Sequence, residues 1–172
     1  YESMPSLVGS EMCIRDSPDA LVEAKMKTSI PIAGGERCNS RDRLRELLEK
    51  RALHILQPEP TCNGGILETV KWAFLCELYH VTIAPHQACG PVSLLACAHI
   101  DAAIPNFLIQ EGILDWSGFQ AKLVKCPIQW EAGYVVPPTA PGLGVELDES
   151  IAKAHPYEGD ALHLEMSPDP VI

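Results

Sequence analysis

Four short apolar runs in this chain each end on an ionisable residue, and they recur at nearly even spacing. "IPIAGGE" ends at Glu36, "LHILQPE" at Glu59, "VTIAPH" at His86 and "NFLIQE" at Glu111. Each interval is long enough for one strand, a loop, a helix and a return, the minimum for bringing two strands side by side in parallel. The intervening segments read as helices. In "SRDRLRELLEKRA", leucines 44, 47 and 48 sit among dense charge, and Ser40 stands as an N-cap. In "GGILETVKWAFLCELYH", Ile66, Val70, Ala73 and Phe74 are expected to share one buried face. "GPVSLLACAHIDAAI" carries Pro91 where a first helical turn tolerates it. Repeated βα units with apolar strands imply a parallel sheet covered by helices. In such sheets the chemistry lies at the carboxyl ends of the strands. One glutamate there is a surface accident; four ionisable ends in register are the lining of one pocket.

Composition narrows what that pocket can meet. The 172 residues suffice for one domain with a core, and the net charge is -10. That charge argues against nucleic acid or an anionic membrane as the main partner. A small anionic substrate stays open, because a bound cation reverses the local field. No apolar run approaches a bilayer span. The seven cysteines form no CxxC pair; their odd number and scatter favour reduced thiols in a cytoplasmic protein, with a structural zinc site as the alternative. Beyond Glu111, "GYVVPPTAPGLGVELDESIAKA" reads as a proline-stiffened excursion that ends in a short helix outside the βα layers.

Taken together, "PIAGGER", "QPEPTCNGGILETVKWA", "VTIAPHQACGP", "PNFLIQE" and "PGLGVELDE" resemble the enolase superfamily, in its mandelate racemase branch. The resemblance runs from about Pro18 to Tyr157 and is nearest to the acid-sugar dehydratases of that branch. It implies the second half of a modified (β/α)8 barrel, strands five to eight. Residues 18–125 would form the barrel portion, and 126–172 a return segment toward a capping domain. It also implies Mg2+ held by carboxylates at the ends of three successive strands, an acid-sugar substrate and a homo-oligomeric parent. Carried over residue by residue, Glu36 is the third metal ligand and His86 the general base. Glu59 stands where the family has an aspartate that orients the histidine. Glu111 donates a hydrogen bond to the substrate carboxylate as it becomes an enediolate.

The residue types suit that chemistry. Removing a proton beside a carboxylate creates charge that a cation and a neutral carboxylic acid stabilise. A histidine titrates near working pH, and an adjacent carboxylate holds its tautomer. Each residue also has a plainer reading: Glu36 paired with Arg37, His86 as a core histidine, Glu111 as a loop residue, Glu59 as a poor partner reaching one methylene too far. Cys62 and Cys89 fall in loops beside the site without a catalytic role.

The front of the chain departs from the family. A glutamate ligand is expected at position 10, where Ser10 stands, and residues 4–17, "MPSLVGSEMCIRDS", have no strand period. They resemble translated adapter sequence, so residues 1–17 are read as a spurious or disordered leader. The sequence thus reads as a fragment of a Mg2+-dependent acid-sugar dehydratase, one not expected to turn over substrate by itself. The alternatives are a racemase or epimerase of the same superfamily and a non-catalytic truncated scaffold.

Overall fold

The computed structural model describes residues 17–112 and 118–156. Except for Ser17, the leader lies outside those residues, as does the tail from 157. Ser17 caps a helix that the sequence pattern does not announce, α1 (Pro18–Met26): its side chain accepts from the Ala20 amide, Pro18 takes the first turn and Asp19 the acidic position behind it.

Three βα units follow. Strand β1 (Ala33–Gly34) leads to α2 (Arg41–Glu49), β2 (Ile55–Leu56) to α3 (Ile66–Leu78), and β3 (Thr82–Ile83) to α4 (Pro91–Ala103). The strands pair in parallel in the order β1-β2-β3, with Ala33 opposite Ile55 and Ile55 opposite Thr82. Phe107 extends the sheet by one parallel bridge to Ile83. This is part of a (β/α)8-type barrel, and the described residues do not close it.

The named strands are short, but the ladder continues past them. The Gln57 amide donates to Gly34 O at 2.8 Å, Ala84 to Leu56 O at 2.9 Å and His86 to Pro58 O at 3.1 Å. The third run is thereby hung from the second right up to His86, and the second from the first to within two residues of Glu59.

Helix α2 buries Leu44, Leu47 and Leu48, as its pattern requires, and Ser40 caps it through the Arg43 amide. Helix α3 corrects the expected face. It buries Thr69, Trp72, Ala73 and Cys76, while Ile66 and Phe74 are exposed and Val70 is only partly covered. The indole decides the rotation: as the largest fully buried side chain, Trp72 turns its own face of the helix inward. Its Nε1–H donates to Glu68 Oε1 at 3.0 Å, and Arg41 binds the same carboxylate through Nη2 at 2.6 Å. That guanidinium is the leading reason the Glu68 carboxyl falls to about 2. Trp72 joins Leu44, Leu56, Ile83 and Ile100 in the core between helices and sheet.

Beyond the sheet, β4 (Trp130–Glu131) and β5 (Tyr134–Val135) form an antiparallel hairpin, and α5 (Glu149–Ala154) ends the described segment. The short helix is the one expected there; the hairpin has no counterpart in the sequence pattern. Asp148 caps α5 through the Ser150 and Ile151 amides. The segment is tied to itself by Asp148 N to Leu123 O at 2.8 Å, and to α4 by His99 Nε2 facing Leu143 O at 3.3 Å.

Candidate active site

The ladder delivers Glu59 and His86 to adjacent positions one βα unit apart. Glu59 follows Pro58 at the end of β2, where a turn begins: its carbonyl accepts from the Cys62 and Asn63 amides at 2.9 and 3.0 Å. That turn folds the side chain inward until Glu59 is 2% exposed. Glu59 Oε1 accepts from the Thr61 amide at 3.1 Å and from the Thr61 hydroxyl at 2.8 Å. Glu59 Oε2 lies 3.0 Å from His86 Nδ1. The extra methylene is thus taken up by the turn, and the carboxylate meets the imidazole at hydrogen-bonding distance.

Burial acts to raise the Glu59 pKa, but the hydrogen bonds from His86 and Thr61 outweigh it, so the group sits below the usual carboxylate range. An ionised carboxylate at Nδ1 fixes the proton there. In the neutral ring, Nε2 then carries the lone pair. His86 itself is raised, first by the hydrogen bond to Glu59, against the opposing effect of burial. The charges of Glu111, Glu59 and Glu36 add to that rise.

Glu111 stands on the other side of the ring, with Oε2 3.9 Å from His86 Nε2. The Gln87 amide donates to that same oxygen at 3.0 Å. The Gln87 side chain is buried and donates to Gly90 O at 2.8 Å, which pins the loop that carries His86. Trp130 of the hairpin lies close enough to Gly112 that an added Cβ would meet its ring at 3.2 Å, so the C-terminal segment reaches the rim beside Glu111.

Glu36 is half-buried in the turn after β1, where the Cys38 amide donates to Gly35 O at 2.9 Å. Its charge is the smallest of those that raise His86.

Thr61 and Gln87 are functional partners that the sequence pattern does not single out. Thr61 has a local signal, a hydroxyl two residues after a glutamate in a turn. The Gln87 amide has none, because a backbone donor leaves no trace in residue type.

Comparison with known proteins decides the lineage. The family described as enolase C-terminal domain-like matches residues 11–151. The chain belongs to that family. A D-galactonate dehydratase from Ralstonia nicotianae is 38% identical over 147 residues, covering 82% of this chain and 38% of the relative. One from Cronobacter sakazakii is 43% identical over 129 residues, covering 72% of this chain and 34% of the relative. A mandelate racemase/muconate lactonizing enzyme from Sulfitobacter superposes with a TM-score of 0.82 at 41% identity, over 91% of this chain and 39% of that one. The chain therefore spans well under half the length of these relatives.

Membership in the enolase C-terminal domain-like family implies a divalent metal, and the chain's own residues can be tested for one. Among the described residues no three His, Cys, Asp or Glu side chains converge as a metal-binding group. Mg2+ gives up its water reluctantly and needs near-octahedral oxygen donors. Glu36 alone does not fit that demand, so the chemistry assignable to this chain is the chemistry of its own side chains.

Proposed function

We propose that this chain carries the proton-transfer half of an acid-sugar dehydratase, a hydro-lyase that turns an aldonate into a 2-keto-3-deoxy acid. The observation that carries this reading is the His86–Glu59 pair at 3.0 Å, with the imidazole still partly open to solvent at the rim. His86 Nε2 removes the proton next to the substrate carboxylate. Glu59 stabilises the imidazolium that forms and keeps the ring in one tautomer. Glu111, held on Oε2 by the Gln87 amide, is in this reading the group that hydrogen-bonds to the substrate carboxylate as charge develops there. Departure of the 3-hydroxyl needs an acid that the described residues do not provide beside the pair. In this reading Glu36 would supply one carboxylate to a Mg2+ whose other ligands lie outside the described residues.

The names and identities of the D-galactonate dehydratases support an acid sugar as substrate. A racemase would need a second base facing His86 across the substrate. "AGGER" offers no lysine for that role.

The test is a chimera in which this chain replaces the matching C-terminal portion of the Ralstonia dehydratase. With Mg2+ in heavy water, the folded chimera should dehydrate at least one aldonate. His86→Asn should abolish exchange of the α-proton while leaving the fold intact. A folded chimera that inverts the α-carbon without eliminating water would favour the racemase. One that acts on no acid sugar would overturn the proposal.

A further inference from the structure

Two exposed cysteines at the rim share one hydrogen-bonding partner. Thr61 Oγ1 lies 3.8 Å from Cys62 Sγ and 3.5 Å from Cys89 Sγ. The sulfurs can be no further apart than the sum of those distances, although they lie on different βα loops. The same hydroxyl donates to Glu59 Oε1 at 2.8 Å.

We propose that Cys62 and Cys89 are a reversible disulfide site that joins the β2–α3 loop to the β3–α4 loop over the His86–Glu59 pair.

Three observations carry it. Both thiols are free and exposed, so a small oxidant reaches them without unfolding the chain. Glycines stand beside both: Gly64 and Gly65 follow Cys62, and Gly90 follows Cys89, all at positive φ. Gly65 and Gly90 have nothing within 4 Å of where a Cβ would lie, so neither loop is packed tightly at its glycine, and the bridge needs the sulfurs to close to the roughly 2 Å of an S–S bond. The buried thiols differ. Cys38, Cys76 and Cys97 are pushed up by burial to about 11, 12 and 12, which makes them poor nucleophiles as well as inaccessible ones. Partial burial raises Cys89 too.

The oxidant is a disulfide of a low-molecular-weight thiol. One protein sulfur, as thiolate, attacks it and expels one small thiol, leaving a mixed disulfide. The second protein sulfur attacks that bond and expels the other small thiol. Two protein thiols are oxidised, one small disulfide is reduced to two thiols, and these retain both protons. Cys62 adjoins Thr61, and its own amide is bonded to the Glu59 carbonyl. The bridge therefore pulls on the turn that holds Glu59. The consequence for turnover rests on the role proposed for Glu59; formation of the bridge does not.

The experiment treats the reduced 172-residue chain with glutathione disulfide, alkylates the remaining thiols and maps the digest by mass spectrometry without reduction. The expected result is an intramolecular Cys62–Cys89 peptide, two hydrogens lighter than its reduced halves and lost on adding dithiothreitol. Cys62→Ser should leave Cys89 as a glutathione adduct, and Cys89→Ser the converse. Separate glutathione adducts on both cysteines with no bridge would overturn the proposal. So would bridging to Cys126, or between chains, in place of the Cys62–Cys89 link. If the chain alone does not hold its buried cysteines unmodified, the same digest of the chimera decides between these outcomes. Neither readout depends on turnover.

Discussion

At the scale of single residues, the pair at the rim has a pH signature. His86 is raised, so its contribution to stability is complete below the ordinary histidine value, about 6.5, and is lost as pH rises through the raised one. Glu59 is lowered, so its contribution is complete above the ordinary glutamate value, about 4.3, and is lost as pH falls through the lowered one. The pair is worth most between those two ordinary values. Urea unfolding should therefore show the wild-type chain losing stability as pH rises above about 6.5. Glu59→Gln should flatten that decline and cost about 1–3 kcal/mol at about pH 5.5, since a carboxamide cannot accept well from both Thr61 donors and the ring. In the same variant, an NMR titration should find the His86 pKa lower than in wild type. An unchanged His86 titration would mean that Glu59 does not set its charge. Thr61→Val removes the hydroxyl donor but keeps the amide, and should shift His86 by less than Glu59→Gln does.

At the scale of elements, the turn after β1 is the most constrained. Gly35 has φ +99, and a Cβ there would meet Leu56 Cδ1 at 2.6 Å. Gly35→Ala should cost about 1–3 kcal/mol from backbone conformation alone, with the displaced Leu56 adding to it, as read by the midpoint of thermal unfolding. Trp72→Ala should cost about 3–5 kcal/mol by emptying the space between α3 and the sheet. Much of this layer is legible in the sequence. Short apolar runs place β1 to β3 and helical patterns place α2 to α4, and Ser40 and Pro91 mark helix starts that the structure bears out. The face of α3 is not legible, because Ile66, Val70 and Phe74 outscore Thr69 and Cys76 in hydrophobicity. A buried threonine is made tolerable by partners that lie outside its own helix: Thr69 Oγ1 donates to Asn63 Oδ1 at 3.0 Å. Helix α1 escapes the pattern because its apolar residues, Leu21, Val22 and Met26 among them, are spread around the helix and do not share one face, although "SPD" is a good start signal. The hairpin β4–β5 rests on Gly133 and on Ala132 at positive φ, and alanine gives no warning of that.

At the scale of the whole molecule, the described sheet ends in two open edges, and both are apolar. Ile30 near one edge is 59% exposed, and Phe107, Leu108 and Ile109 along the other are 40%, 50% and 63% exposed. Unpaired edges with such side chains recruit other strands. Sedimentation of the isolated chain should show association that grows with concentration, and a persistently monomeric chain would count against this. Assayed alone with Mg2+ and an acid-sugar panel, the chain should be inactive, because Glu36 offers the metal one carboxylate; dehydration matching that of the chimera would refute this. The continuation of the ladder to the strand ends has a further consequence, for how such a protein changes over evolutionary time. Because the His86 amide hangs from Pro58 O and the Gln57 amide from Gly34 O, the sheet sets the spacing of the two backbones, and the turn after Glu59 completes the placement of its carboxylate. Exposed side chains beyond those turns, such as Leu67 and Val92 at the starts of α3 and α4, are then free to accept substitutions while the distance between imidazole and carboxylate stays the same. Substrate preference can drift in such a scaffold without the proton-transfer step being reinvented.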